Sequence, residues 1–208
     1  MYALYYVLKD SGNNLLQNKV TALLKSIFSF LYFFVLTTLL HGWLTAIHLE
    51  EIEQKRILEE ADSMDILLQS NSNEQLLTLL KSLKTAFLIF SIGLFLFGIL
   101  YLFLYFQRAI ILDKKELILK KMLGASALQV TSELFIESML LTLPSCILSL
   151  FTAESLYTLF FQSSDSWLTS ILYPPSYFVI YVDFSLIGLF SLLLICQFLY
   201  LKQKLTNL

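Results

Sequence analysis

Few residues in this chain carry side chains suited to chemistry, and their spacing limits what they can do. Glu133 and Glu137 stand four apart, so a helix puts both carboxylates on one face. Paired carboxylates serve acid–base catalysis when a nucleophile or a metal set accompanies them. None does here, and pairing with nearby lysines is their expected role. His41 and His48 are seven apart and also share a helical face, so haem or metal ligation is conceivable, but two imidazoles on one helix with no third ligand in view are a weak signal for it. Asp183 stands alone in an apolar run, as does Glu154. Cys146 and Cys196 lie in separate apolar stretches, and both read as small buried side chains with no disulfide or thiolate-metal role. A Gly-rich phosphate loop ending in Lys-Ser/Thr is absent, so the chain carries no ATPase motif of its own. The expectation is therefore a non-catalytic chain, with no metal site and no cofactor bound by it.

The elements that hold these residues are built for lipid. Of 208 residues, 57% are hydrophobic and 14% charged, against about 25% charged in soluble domains. Mean hydropathy is +0.73. The net charge of −2 carries no basic footprint for nucleic acid. No charged residue falls between Lys25 and Glu50, or between Lys84 and Arg108. A helix over either stretch reaches about 35 Å, enough to cross a hydrocarbon core of about 30 Å. Two further spans are expected over 126–161 and 177–201. The third contains Glu137, Pro144 and Glu154, and Pro144 is expected to kink it.

The fold class that follows is an all-α membrane protein with four transmembrane helices. The expected order is an N-terminal amphipathic interfacial segment (1–25), a first span (26–49), an extracellular helical hairpin (50–83) and a second span (84–107). A cytoplasmic helix (108–125), the third span (126–161), an extracellular loop (162–176), the fourth span (177–201) and a cytoplasmic tail (202–208) complete it. Of the 14 Lys and Arg residues, only Lys55, Arg56, Lys81 and Lys84 fall on the side that carries 50–83. The positive-inside rule then puts both termini and the 108–125 loop in the cytosol. Met1–Leu8 is apolar but short, with no basic leader or cleavage site, and is not read as a signal peptide. Within the insert, Ile52, Ile57, Leu58 and Ala61 recur at helical spacing, as do Leu76, Leu77, Leu80 and Leu83. Ser70–Asn73 reads as the turn between two helices, with Ser72 and Gln75 as a capping box. A mobile acidic loop is the alternative.

The loop between spans two and three holds the most information. Lys114, Lys115, Glu116, Lys120 and Lys121 alternate with Leu117, Ile118, Met122 and Leu123, the pattern of an amphipathic helix. Gly124 stands at the C-cap position, and two lysines in the last turn suit the helix dipole. Ser126 with Gln129 then forms a capping box for the next helix.

That stretch resembles the FtsX-like permease family, the membrane subunits of MacB-type ABC transporters. Lys115-Glu116-Leu117, Lys121-Met122-Leu123-Gly124-Ala125-Ser126 and Glu137 match the family's inner loop in order and spacing. Asn18-Lys19, Thr21 and Leu23-Leu24 resemble the segment leading into its first span. The resemblance implies a coupling helix docked on a cytoplasmic ABC ATPase that supplies ATP and Mg. Leu117, Ile118, Met122 and Leu123 would fill an ATPase groove, with Lys114, Lys115, Glu116, Lys121, Gly124, Ala125 and Ser126 completing the coupling set. Glu133, Glu137 and Asp183 would be polar groups of the membrane region, Asp183 either at a dimer seam or substrate path or reaching water at the outer interface. A bacterial cell-membrane location and a dimer with a second permease copy or a related permease are also implied. The implied activity is export or extraction of an amphipathic substrate such as an antimicrobial peptide, bacteriocin or lipid. A signal transmitter of the cell-division type and a non-transport tetraspan scaffold are the alternatives. The insert departs from the family: many members carry a large folded domain where this chain has only 50–83.

Overall fold

A computed structural model describes residues 19–61, 70–112, 114–124, 126–164, 169 and 172–206. The described residues are helical nearly throughout. Helix α1 runs Lys19–Ala61, α2 Ser70–Leu112, α3 Lys114–Met122 and α4 Ala127–Ser163. A single turn, α5 (Pro175–Phe178), leads into a π-helical turn, Val179–Asp183, and then α6, Phe184–Thr206. Most of the expected interfacial segment, 1–18, lies outside the described residues, and residues 19–25 already belong to α1.

Four stretches are long and apolar enough to cross a membrane: Lys19–Leu58, Gln75–Tyr105, Met139–Ser163 and Pro175–Lys204. Their exposed faces are covered with large apolar side chains, among them Phe90, Leu104, Phe151 and Phe184. Water does not tolerate a surface of that kind on a single chain, whereas lipid does. The protein is therefore an all-α multi-pass membrane protein. Hydroxyls within the spans are turned back onto their own helices. Thr38 donates to Phe34 O and Val35 O, Thr45 to His41 O at 2.8 Å, and Ser155 to Phe151 O at 2.7 Å. Each bond satisfies a polar group that hydrocarbon would leave without a partner.

Helices α1 and α2 each have 43 residues, about 65 Å of helix, roughly twice the hydrocarbon thickness. Both continue past the apolar stretch into the insert, with Lys84 of α2 paired to Glu50 of α1 at that level. Ser70–Asn73, expected as a turn, instead form the start of α2. Ser and Asn suit a helix start as well as a loop, because their short polar side chains accept from free N–H groups. Helix α4 runs through Pro144 without a break. The ring removes the N–H that would bond Leu140 O. Next to it, the Ser145 hydroxyl meets Leu141 O at 2.9 Å and the Ser26 hydroxyl at 2.8 Å. The Met139–Ser163 stretch is the most buried of the four spans, which suits the one that carries Glu154.

Contacts divide the chain into two compact units. The first comprises Met1–Phe33, Leu96–Ser149 and Leu186–Leu208, and the second Phe34–Phe95 and Leu150–Ser185. The first unit has a core of Ile110, Leu117, Val130 and Leu201, with Tyr105, Leu134 and Phe135 packed on it. Aromatic edges reinforce it: Phe33 meets Phe190 with ring centres 5.0 Å apart, and Phe135 meets Phe198 at 5.4 Å. The Lys25 ammonium donates to the Tyr105 hydroxyl at 3.2 Å and lies 4.9 Å from its ring centre. In the second unit, Gly42 lets the Phe87 ring approach to 3.0 Å from where a Cβ would stand.

Candidate functional site

The connection between the second and third spans is built locally, as its residues require. Helix α3 ends where Leu123 N–H bonds Leu119 O at 3.0 Å. Gly124 follows with φ of +91°, a conformation that glycine adopts without strain. The Ser126 hydroxyl then accepts from Gln129 N–H at 3.2 Å, and Ser126 O accepts from Val130 N–H. These bonds satisfy the free donors at the start of α4 and set where it begins. Lys120 donates to Glu133 Oε1 at 2.8 Å, joining α3 to α4. The side chains of Lys114, Lys115, Glu116, Lys121 and Glu137, and residue Ala125, lie outside the described residues.

The apolar residues of α3 divide between two directions. Leu117 is only 7% exposed and packs in the first unit's own core. Met122 and Leu123 are 82% and 81% exposed, and Ile118 and Leu119 are also open. The outward face is thus Ile118, Leu119, Met122 and Leu123, with Leu119 where the sequence pattern had put Leu117. A short helix with lysines between its leucines has more than one apolar stripe, and its periodicity does not say which one packs inward.

A second polar site lies in the second unit, away from that loop in sequence. His41 of α1 has Nε2 3.2 Å from Glu154 Oε1 of α4. Asp183, the last residue of the π turn, completes the group, and the ligand atoms of all three lie within 4.8 Å of one another. Aromatic rings wall it in: His41 to Phe178 at 4.5 Å, His41 to Tyr157 at 5.8 Å, and Tyr157 to Phe178 at 4.5 Å between ring centres. The Tyr157 hydroxyl is held by Tyr173 O at 2.8 Å. His48 does not join the cluster, and its ring stacks on Tyr173 at 3.8 Å. Burial, then contact with the Tyr177 hydroxyl, holds the Tyr173 phenol above its usual value.

Residues 88–201, from within α2 to the end of the fourth span, match the FtsX-like permease C-terminal family. The chain belongs to the FtsX-like permease family. No curated protein and no solved structure matches it. FtsX-like permeases are membrane subunits of ABC systems, generally non-catalytic, working with a separate ATPase subunit. The match contains α3, Gly124 and the start of α4, the stretch on which the resemblance rested.

In this FtsX-like permease, sequence reasoning treated His41, Glu154 and Asp183 as three unrelated residues. The one signal that joined them was weak: each is an ionisable group in an otherwise apolar span, and such groups face the protein interior and find partners. Glu133, near the start of the third span, does pair with a lysine of the preceding loop, Lys120.

Proposed function

We propose that this FtsX-like permease is the membrane subunit of a MacB-type ABC transporter in a bacterial cell membrane. A cytoplasmic ATPase partner would supply the ATP and Mg, and the permease would work as a dimer, with a second copy of itself or a related permease. Its cargo would be amphipathic, such as an antimicrobial peptide, a bacteriocin or a lipid, as the family resemblance implies. The observation that carries the reading is α3: a nine-residue helix between the second and third spans, capped by Gly124, with Ile118, Leu119, Met122 and Leu123 uncovered. That suits a helix-in-groove contact, in which exposed apolar side chains of a short helix serve as knobs. ATP-driven movement in the partner would reach α4 through the Lys120–Glu133 pair and the Leu117 packing.

The test is co-purification with a cytoplasmic ABC ATPase partner. Met122→Asp and Leu123→Asp should abolish the association while the permease remains folded in detergent. Undiminished association of both variants sinks the reading. A second reading, an ATP-driven signal transmitter of the cell-division type, is favoured by the length of α1 and α2 beyond the apolar stretch and by the Glu50–Lys84 tie between them. ATPase activity stimulated by an amphipathic peptide favours transport, and stimulation only by an extracellular protein partner favours signalling.

A further inference from the structure

The buried cluster of His41, Glu154 and Asp183 has no part in the coupling reading. Its three side chains come from three helical elements far apart in sequence: α1, α4 and the π turn before α6. His41 and Asp183 are 6% and 8% exposed. Asp183 Oδ1 and both carboxylate oxygens of Glu154 have no hydrogen-bond partner among the described residues. His41 Nε2 stands 3.2 Å from Glu154 Oε1, but not in hydrogen-bonding geometry.

A buried carboxylate without a partner is among the costliest groups a fold can hold, more so inside membrane-spanning helices. Two ionised carboxylates cannot satisfy each other, since each only accepts. What the group lacks is a positive centre shared by all three. The backbone is specialised to bring the last member in: the turn that ends on Asp183 is π-helical, and both Val182 and Asp183 are buried although they are neighbours in sequence. Single π turns in α-helices recur at functional sites because they redirect a side chain.

We propose that His41 Nε2 and the carboxylates of Glu154 and Asp183 bind a first-row divalent transition metal of the zinc(II) class. Two carboxylates and a neutral imidazole exactly balance a doubly charged ion, which leaves no net charge in a low-dielectric surround. The donor set is one nitrogen and two oxygens, without sulfur. An imidazole favours zinc, copper, iron or nickel over magnesium and calcium, which prefer all-oxygen shells. Ligand atoms on one zinc ion, each at about 2.0–2.2 Å, stand at most about 4.4 Å apart. The ligand atoms here lie within 4.8 Å of one another, so binding an ion would draw the carboxylates slightly inward. The wall of Phe178 and Tyr157 limits water and strengthens the electrostatics inside. The bound ion ties α1, α4 and the π turn together at one point. The site is independent of which cargo or signal the permease handles.

The test uses the full chain, tag removed, in detergent micelles, stripped with a chelator and titrated with zinc chloride against a chromogenic competitor. One zinc ion per chain is expected, with a rise in Tm that magnesium does not produce. His41→Gln and Asp183→Asn should each weaken zinc binding at least about tenfold, and His48→Gln, which removes the only other imidazole, should leave it unchanged. The proposal is overturned by absence of stoichiometric zinc, which leaves protons alone in the cluster, by equal binding in His41→Gln, or by loss in His48→Gln. If the substituted proteins fold poorly, the wild type decides: pulsed EPR of bound copper(II) should show one coordinated imidazole, and its absence overturns the site.

Discussion

At the scale of single residues, small side chains at close approaches carry specific stability. Gly98 lies where a Cβ would stand 2.6 Å from Tyr32 Cζ and still nearer the hydroxyl. Gly93, five residues earlier on the same helix, has nothing within 4 Å of that position. Gly98→Ala is expected to destabilise the protein by about 1–3 kcal/mol through overpacking. Gly93→Ala should be neutral or gain up to about 1 kcal/mol from helix propensity. Thermal unfolding in detergent checks both, and Tyr32→Phe should restore part of the Gly98→Ala loss by removing the closest atom. The Lys120–Glu133 pair, about a third exposed on each side, belongs to a different class. Pairs of that exposure contribute at most about 1 kcal/mol and weaken with salt, so its value lies in joining α3 to α4 rather than in holding the fold.

At the scale of the element, α3 depends on its end. A Cβ at Gly124 would meet nothing within 4 Å, so any cost of substitution comes from the backbone alone, held at φ +91°. Gly124→Val should cost about 1–2 kcal/mol and misdirect α3. Gly124→Asn should be milder, because Asn tolerates positive φ better. The comparison is made by Tm and by co-purification with the ATPase partner, and equal behaviour of the two variants would contradict a backbone origin. The same element explains a limit of pattern reading. Leu117 and Leu119 lie two positions apart in a helix, on nearly opposite sides, and both are leucines. Which of them meets the core is decided by Ile110, Val130 and Leu201, residues contributed by three other helices.

At the scale of the molecule, the four spans and the distribution of lysine and arginine predict a direction in the membrane. With an even number of spans, both termini and the 108–125 loop are expected on one side, and the basic bias predicts that this side is cytoplasmic. In a background with Cys146 and Cys196 replaced by Ser, Gln54→Cys should react with a membrane-impermeant maleimide on intact cells. Lys115→Cys should react only after permeabilisation. Labelling of Lys115→Cys in intact cells would invert the topology.

The sequence by itself determined what depends on neighbours along the chain. Uncharged runs mark the spans, Gly124 and Ser126 mark the turn and cap between α3 and α4, and the ordered inner-loop residues led to the right family. These features are local, since a helix, its cap and its apolar length are set within a few turns. Boundaries were less legible: Ser70–Asn73 suited either a turn or a helix start, and the structure places them in the helix. The tertiary structure alone decided which face of each helix met which other. Periodicity shows that a face is apolar or that an acid sits in a span, but it carries no information about what stands opposite. His41, Glu154 and Asp183 come together because α1, α4 and the π turn pack against one another in the second unit. The energetics of burying three ionisable groups then turn that juxtaposition into a site.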